Sequence, residues 1–221
     1  MKDNRENPAI KDAQERFTFI WNILKENYPD PEPALNYKNP LELLVATVLS
    51  AQATDAQVNR VTEKLFSKYQ TLEDFAQADL NELEMDVYST GFYRNKARNI
   101  KESARIIIED FNSRIPEDMD GLLKLPGIGR KTANIILSRA FGKNCGIAVD
   151  THVARLAGRL GFTDSKNPEK IEKELMALAD KVDWEDLSMT LILHGRRVCH
   201  ARGPECEVCV VNHLCPSSRI A

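Results

Sequence analysis

The sequence predicts an all-α protein on two observations. Apolar residues recur at spacings of three and four along almost the whole chain, which is the period of a helix with one buried face. No stretch alternates apolar and polar residues for long enough to indicate a β-sheet. We therefore expect about ten short helices joined by tight links.

Two of these helices have a clear start. Asn39-Pro40 and Asn167-Pro168 each place a capping asparagine before a proline, which is tolerated in a first helical turn because its missing N–H has no partner there. Asp150 precedes another helical pattern and is expected to cap it. In chain order, the apolar faces cover 41–49, 58–65, 100–111, 133–140, 153–160 and 171–179.

The composition is that of an ordinary globular protein. Of 221 residues, 43% are apolar and 29% charged, which fits one or two domains. The first residues are too polar for a secretory signal, and no apolar run reaches the ~18 residues of a membrane span. We therefore expect a soluble intracellular protein, with the loops at 31–40 and 142–146 as its weakest points.

Charge is unevenly distributed along the chain. The net charge is −3, but 94–159 holds 13 Lys/Arg and 7 Asp/Glu, a local excess of +6. Such asymmetry is what a protein with one face for a polyanion would show. Solvated helix faces could produce the same excess by chance, so charge alone does not decide for nucleic acid.

Four of the five cysteines lie within the last 25 residues, spaced C-x6-C-x2-C-x5-C. The odd total and the C-x2-C pair favour reduced thiols and metal binding over disulfides. Zinc is the default metal for such thiolates, whereas a [4Fe-4S] cluster also takes four cysteines, so both alternatives are open here. The four candidate ligands are Cys199, Cys206, Cys209 and Cys215.

Histidines and arginines near these cysteines, and the fifth cysteine, are candidates for other roles. His200 and His213 could replace a ligand, although four thiols already suffice. Cys145 is expected to be a small buried or loop thiol and no ligand. Three arginines flank the cysteines and could reach phosphates, namely Arg196, Arg197 and Arg202.

Residues 125–137, LPGIGRKTANIIL, predict a tight hairpin between two helices. Gly127 and Gly129 would permit positive φ and leave the backbone bare, so that amide N–H groups at a helix N-terminus can approach a phosphate. Such a helix-hairpin-helix element contacts the sugar-phosphate backbone without reading sequence. The alternative is an ordinary turn with a glycine cap.

Lys131 lies at the start of the helix that follows this hairpin. The adjacent Arg130 and the positive helix end both disfavour the ammonium form, which makes a nucleophilic amine plausible. A surface lysine that contacts phosphate is the simpler alternative. Nineteen residues later, VDTHVARL begins with Asp150 at a helix start.

Together, these segments resemble the endonuclease III branch of the helix-hairpin-helix DNA glycosylases. The resemblance rests on LPGIGRKTANIIL, VDTHVARLAGRLG and the cysteine spacing, in that order. It extends upstream to LLVATVLSAQATD at 43–55 and TGFYRNKARNI at 90–100, and so covers nearly the whole chain from about residue 15.

The resemblance implies a bifunctional DNA glycosylase and AP lyase that removes oxidised pyrimidines. Lys131 matches the amine that attacks C1′ of the damaged nucleotide, displaces the base and forms a Schiff base, from which β-elimination cuts the strand. Asp150 matches the carboxylate that assists the attack and stabilises the cationic sugar. A stacked base hides C1′, so the nucleotide must be flipped out.

Further residues match DNA-contacting positions of the family. Gln52 matches the side chain that fills the gap left by the flipped nucleotide. Phe92 stands where a leucine wedge is common, and a core aromatic is the alternative. Asp55 matches a carboxylate near the active-site mouth, although a helix-start role would suffice. The implied DNA-contact set also contains Gly127, Gly129, Arg130 and His152.

The resemblance also implies a [4Fe-4S] cluster at the four cysteines and two helical domains. One domain would span 33–144, and the other would combine 1–32 with 145–221 and carry the cluster. The hairpin and Lys131 lie on the first and Asp150 on the second, so the nucleotide should enter between them. We expect a monomer that binds damaged or abasic duplex DNA, has no membrane association and works in a prokaryotic-type cytoplasm at the nucleoid.

Two alternatives remain. A monofunctional mismatch glycosylase would act on adenine opposite oxidised guanine, or on thymine or uracil opposite guanine. Such relatives typically lack the lysine, and the adenine-specific ones have an extra C-terminal domain, whereas this sequence keeps Lys131 and ends six residues after Cys215. A non-catalytic DNA-binding module with a structural metal loop would show the same hairpin but needs neither Lys131 nor Asp150.

Overall fold

The computed structural model describes residues 13–29, 31 and 35–220, so the polar N-terminal residues 1–12 and part of the 31–40 loop lie outside the described residues. The described part is helical and contains no β-strand, which confirms the all-α prediction. Its α-helices are α1 (Ala13–Asn27), α2 (Pro40–Leu49), α3 (Asp55–Lys68), α4 (Leu72–Gln77), α5 (Leu80–Asp86), α6 (Tyr93–Asp110), α7 (Met119–Leu123), α8 (Arg130–Phe141), α9 (Thr151–Arg159), α10 (Pro168–Leu178) and α11 (Trp184–Arg197). Four short 3-10 turns cover Tyr88–Thr90, Lys181–Asp183, Cys206–Val208 and Asn212–Leu214.

The predicted helix starts are confirmed. The side chain of Asn39 accepts a hydrogen bond from the backbone N–H of Glu42, with Pro40 in the first turn of α2. Asn167 caps α10 in the same way, accepting from two backbone N–H groups ahead of Pro168. These caps satisfy donors that a helix N-terminus leaves without an internal partner.

The described residues form two compact units. The central unit contains those of Pro33–Cys145, and the terminal unit those of Met1–Glu32 together with Gly146–Ala221. In the central unit, α2 is almost entirely buried and packs against α3, α6 and α8, while α6 packs on α4 and α5. In the terminal unit, α9 and α11 pack together, with α1 and α10 beside them.

Each unit has a hydrophobic core of its own. The core of the central unit is built from leucine, isoleucine and valine side chains of α2, α3, α6 and α8. The core of the terminal unit is built around α1, α9, α10 and α11. None of the described helices is both long enough and apolar enough to span a membrane.

Candidate functional site

The hairpin between α7 and α8 is held on the surface of α6. Ile128 is buried, and its backbone N–H donates to the carbonyl of Leu125 at 3.1 Å. The hydroxyl of Ser103 on α6 donates to the carbonyl of Pro126 at 3.3 Å. The turn is therefore anchored by both an apolar side chain and a hydrogen bond.

The two glycines of the hairpin differ. Gly127 has φ +82°, and a Cβ built there would lie 2.6 Å from Nδ2 of Asn99, so both conformation and space favour glycine. Gly129 has φ −98° and ψ 173°, an extended conformation that other residues adopt, and a Cβ would meet nothing within 4 Å. The expectation that both glycines serve a positive φ was therefore wrong for Gly129.

Gly129 instead leaves the start of α8 uncapped. It occupies the N-cap position and has no side chain, so the described residues show no side-chain cap hydrogen bond at this helix start. Those donors and the positive helix end can therefore meet an outside anion. Arg130 and Lys131 form the first turn of α8, and both side chains are exposed. Within the described part of the chain, the side chain of Lys131 makes no hydrogen bond or ion pair.

Asp150 caps α9, as its position in the sequence predicted. Its Oδ1 accepts hydrogen bonds from the backbone N–H groups of His152 and Val153, both at 2.8 Å. Because both bonds end on Oδ1, Oδ2 takes no part in the cap. The carboxylate is half-buried and held in one orientation at the N-terminus of the helix. Lys131 belongs to the central unit and Asp150 to the terminal unit, and their cooperation stays a prediction.

His152, the next predicted DNA-contacting residue, is half-buried in the first turn of α9. Its Nδ1 lies 3.2 Å from Nη2 of Arg155. The same nitrogen of Arg155 donates to the carbonyl oxygens of Gly195 and Cys199, both at 3.0 Å. The ring of His152 is thus next to an arginine that ties α9 to the end of α11.

Gln52 and Phe92 both lie in turns with left-handed backbone conformation. Gln52, exposed in the turn after α2, has φ 55°. Phe92 directly precedes α6 with φ 47°, and its side chain is 63% exposed. The alternative of a core aromatic is therefore wrong for Phe92. Asp55 is the first residue of α3, after the capping residue Thr54, which agrees with the alternative of a helix-start role. A contact of Asp55 with DNA stays a prediction.

The four candidate ligands, Cys199, Cys206, Cys209 and Cys215, line one cavity of about 30 Å³. All four side chains are half-buried. Burial raises the pKa of the Cys209 and Cys215 thiols, and the neighbouring cysteines raise it further, so four thiolates here call for a cation. Among the described residues, no three His, Cys, Asp or Glu side chains are placed to hold a metal ion. The sulfurs thus surround a cavity without meeting at a single point.

This cavity is shaped by residues that the sequence analysis did not single out. Arg159 at the end of α9 donates from Nη1 to Sγ of Cys199 at 3.2 Å. Nε2 of His194 on α11 lies 3.4 Å from Sγ of Cys209. Cys199 lies 40 residues from Arg159 in the chain, and Cys209 lies 15 residues from His194. The only sequence signal for Arg159 and His194 was helical periodicity, which places both on the inner face of their helices.

Two other candidates from the sequence are His200 and Cys145. Nε2 of His200 lies 3.2 Å from Oε1 of Glu205, and the ring does not line the cavity. Cys145 is an exposed thiol in the loop after α8, so of the two expectations for it, a buried thiol or a loop thiol, the second is observed.

Lys96 is a further residue that the sequence analysis missed. It lies on α6 and is 4% exposed, and its Nζ donates to the carbonyl oxygens of Leu49 at 2.9 Å and Thr90 at 2.7 Å. Its helical spacing with Ile100 and Ile107, both buried, was the available signal.

The chain is similar to DNA repair proteins in both sequence and structure. Residues 45–181 match a family described as the HhH-GPD superfamily of base excision DNA repair proteins. An endonuclease III from Synechocystis sp. is 49% identical over 206 residues, which cover 93% of this chain and 94% of that protein. A structure of endonuclease III in a trapped covalent intermediate with DNA has a TM-score of 0.89 at 44% identity, covering 93% of this chain and 96% of its own. A thermostable thymine-DNA glycosylase has a TM-score of 0.82 at 25% identity, covering 94% of this chain and 99% of its own.

Proposed function

We propose residue roles for a chain that belongs to the endonuclease III family of HhH-GPD base excision DNA repair proteins. Membership of that family makes it a DNA glycosylase and AP lyase that binds damaged duplex DNA. In our proposal, the two units are the two domains, with the hairpin and Lys131 on one and Asp150 and the cysteines on the other.

Lys131 is the nucleophile of the proposed mechanism. Its Nζ bonds to C1′ of the damaged nucleotide while the bond from C1′ to the base breaks and the base leaves with a proton. The nitrogen loses a proton, and the bond from C1′ to the ring oxygen O4′ then breaks as O4′ takes up a proton, which gives the protonated Schiff base. Loss of a proton from C2′ then expels the 3′-phosphate, which cuts the strand. The observation that carries this role is an exposed lysine whose side chain has no partner among the described residues, directly after the uncapped hairpin. The related endonuclease III was trapped as a covalent intermediate with DNA.

Asp150 is the carboxylate that stabilises positive charge on the sugar. Two backbone N–H groups hold Oδ1, so the group is oriented before substrate arrives, and a preoriented charge stabilises a transition state without reorganisation. Oδ2 takes no part in the cap and is the atom that would face C1′ or the attacking amine.

The duplex is bound through backbone contacts, and the lesion is flipped out. The hairpin around Gly127, the uncapped start of α8 at Gly129 and the side chain of Arg130 contact phosphate, with His152 at the start of α9 as a further contact. Gln52 and Phe92 enter the stack where the nucleotide has left. Oxidised pyrimidines with a saturated ring stack poorly, which lowers the cost of flipping and favours them as substrates.

The four cysteines hold a [4Fe-4S] cluster in this proposal. A single tetrahedral zinc ion needs four sulfurs at about 2.3 Å from one point, whereas a cluster binds each thiolate through a different iron. Thiols that surround a cavity fit the cluster better than the single ion. The cluster shapes the loop that carries Arg202, with no part in the chemistry of the lesion. A yellow-brown protein with iron and acid-labile sulfide supports it, and a colourless protein with one zinc contradicts it.

We propose that the protein works in the cytoplasm at the nucleoid, since the similar endonuclease III proteins come from bacteria. We also propose that it is a monomer.

A borohydride trap tests the catalytic role of Lys131. The protein is mixed with a duplex that contains one thymine glycol, and reduction should give a covalent adduct that Lys131→Gln abolishes. Lys143→Gln is the matched control, because Lys143 follows the other end of α8 and pairs with Glu117. Asp150→Asn should slow base release roughly 100-fold or more.

The same experiment separates the alternatives. Base release without an adduct, also from a G·T mismatch, would support a monofunctional glycosylase such as the structurally similar thymine-DNA glycosylase. Binding to the duplex without base release from any oxidised pyrimidine would support a non-catalytic module.

A further inference from the structure

The ammonium group of Lys96 lies buried between two backbone carbonyls in the central unit. The side chain is 4% exposed, and Nζ donates to the oxygens of Leu49 and Thr90 at 2.9 and 2.7 Å. Burial lowers the pKa of Lys96 below its ordinary value. A buried cation is costly unless hydrogen bonds compensate for its lost hydration, so these two carbonyls are what holds it.

The two carbonyls belong to the ends of two separate segments. Leu49 is the last residue of α2, and Thr90 is the last residue of the 3-10 turn Tyr88–Thr90. The final carbonyls of a helix have no partner within it. One ammonium on α6 therefore closes both segment ends, which lie 47 and 6 residues before it in the chain.

Each segment continues directly into a turn that carries an exposed side chain. Gln52 follows Leu49 by three residues, and Phe92 follows Thr90 by two. Both have a positive φ, 55° for Gln52 and 47° for Phe92. Non-glycine residues persist in this conformation only where their surroundings hold them. A further link is the hydrogen bond from Nε2 of Gln57 to Oγ of Ser89, at 2.6 Å, which joins α3, the helix after the Gln52 turn, to the 3-10 turn.

We propose that Lys96 is a positioning residue that holds the Gln52 turn and the Phe92 turn in one fixed arrangement for entry into the DNA stack. The inference rests on the proposed function, because it takes Gln52 and Phe92 as the side chains that replace the flipped nucleotide. Lys96 itself does not touch DNA. Gln52 and Phe92 replace the lost stacking best when their turns are already ordered before the nucleotide flips out, because no entropy is then lost at that step. The Lys96 ammonium keeps both turns ordered in the free protein.

The test compares paired and unpaired lesions. Lys96→Met keeps an unbranched side chain out to the ε position and removes the ammonium with its donors. Single-turnover base release is measured with thymine glycol opposite adenine and with thymine glycol opposite an abasic analogue, where no pair must be opened. We expect a loss of roughly 10- to 100-fold on the paired lesion and less than about 2-fold on the unpaired one, since misplacement away from the chemistry acts through flipping.

Lys101→Met is the matched control. Lys101 lies on the same helix, and its Nζ donates to the carbonyl oxygen of Ala78, far along the chain from either turn. Its replacement should leave the ratio of paired to unpaired rates unchanged. Lys96→Arg retains N–H donors and should recover much of that ratio. An equal loss on both duplexes in Lys96→Met would show a merely structural role and overturn the proposal.

Two more variants keep the outcome decisive. If Lys96→Met does not fold, Lys96→Gln, whose amide can reach one carbonyl, must lower the paired rate selectively, and an unchanged ratio overturns the proposal. Lys96→Met should add little to Phe92→Ala, since both act on one step; full additivity contradicts it. A wild-type protein that releases no base contradicts the proposed function and removes this inference with it. If Phe92→Ala and Gln52→Ala slow base release from the paired lesion selectively but the Lys96 variants do not, the proposed function stands and only the positioning role of Lys96 is overturned.

Discussion

The guanidinium of Arg159 donates a hydrogen bond from Nη1 to Sγ of Cys199, with the two atoms 3.2 Å apart. The same group donates to the carbonyl oxygens of His200 at 2.7 Å and Ala201 at 3.0 Å. The last residue of α9 therefore holds both the first candidate ligand and the backbone that follows it. Asp150 caps the other end of this helix, so one helix connects the proposed catalytic carboxylate to the cysteine loop.

Arg159→Met should loosen the metal loop without removing a ligand. It deletes three hydrogen bonds to residues 199–201, and loss of such supporting contacts typically lowers metal affinity about 10- to 100-fold. We expect iron release to a chelator, followed by the visible absorbance of the cluster, to be faster by about that factor. Arg202→Met is the control, because Arg202 is an exposed arginine of the same loop. Release at the wild-type rate from Arg159→Met would contradict the expectation.

His194 should tune the reduction potential of the proposed [4Fe-4S] cluster through a hydrogen bond to Cys209. The ring is 2% exposed, and burial lowers its pKa to about 4, so it is neutral. A ligating thiolate carries no proton, so Nε2–H must donate to Sγ, and the hydroxyl of Tyr28, 3.0 Å from Nδ1, must donate to the ring. Hydrogen bonds to cluster sulfurs stabilise the electron-rich reduced state.

We therefore expect His194→Phe to lower the reduction potential of the cluster, measured by voltammetry of the intact protein. Tyr28→Phe should lower it by less, because the Nε2–H donor remains. His200→Phe is the control, since that ring contacts Glu205 and lies away from the thiols. Equal potentials in all four proteins, with the cluster intact, would show that the contact has no electronic effect.

The two hairpin glycines should respond differently to alanine. Gly127→Ala places a Cβ at positive φ and 2.6 Å from Nδ2 of Asn99, which should lower the free energy of unfolding by about 1–3 kcal/mol. Gly129→Ala has neither problem and should change it by about 0.5 kcal/mol or less. Urea unfolding of both variants measures the difference. Equal stability would mean that Asn99 moves aside and that the turn tolerates the strain.

Asp183 should make the terminal unit sensitive to acid. Its Oδ1 accepts from Nζ of Lys25 at 2.6 Å and its Oδ2 from Nε1 of Trp21 at 2.9 Å, which ties the turn before α11 to α1. Burial acts to raise the pKa of Asp183, but these hydrogen bonds outweigh it, so the pKa lies below its ordinary value of 3.8. The stabilisation is therefore fully present above pH 3.8 and is lost as the pH falls through the folded-state pKa.

Asp183→Asn should accordingly lower the free energy of unfolding by about 1–3 kcal/mol at pH 7, and the difference from wild type should shrink below about pH 4. Urea unfolding at several pH values measures it. Asp164→Asn, at an exposed position of the same unit, is the control and should show no such pH dependence. If the difference in the free energy of unfolding between wild type and Asp183→Asn stays constant down to pH 3, the ionised carboxylate of Asp183 does not stabilise the fold.

Much of the fold and part of the site follow from chemistry that is local in the chain. The capping roles of Asn39, Asn167 and Asp150 depend on N–H groups two or three residues away, and these predictions are confirmed. The all-α class follows from apolar periodicity for the same reason. The crowding of the cysteines also depends on short spacings, and all four line one cavity.

Long-range contacts could not be obtained in this way. Lys96 bonds to a carbonyl 47 residues away, Arg159 to a sulfur 40 residues away, and His194 to a hydroxyl 166 residues away. Whether Phe92 is buried and whether Gly129 needs a positive φ likewise depend on how neighbouring segments pack.

Residue order alone thus determined the helical class, the helix starts and the hairpin, because each depends on neighbours within a few residues. The catalytic roles of Lys131 and Asp150 and the cluster role of the four cysteines came from the resemblance to a family and stay predictions. Only the folded chain decided which carbonyls receive the Lys96 ammonium and which guanidinium and ring reach the sulfurs. A buried polar group must find its partner wherever packing brings one, and the distance along the chain places no limit on where that is.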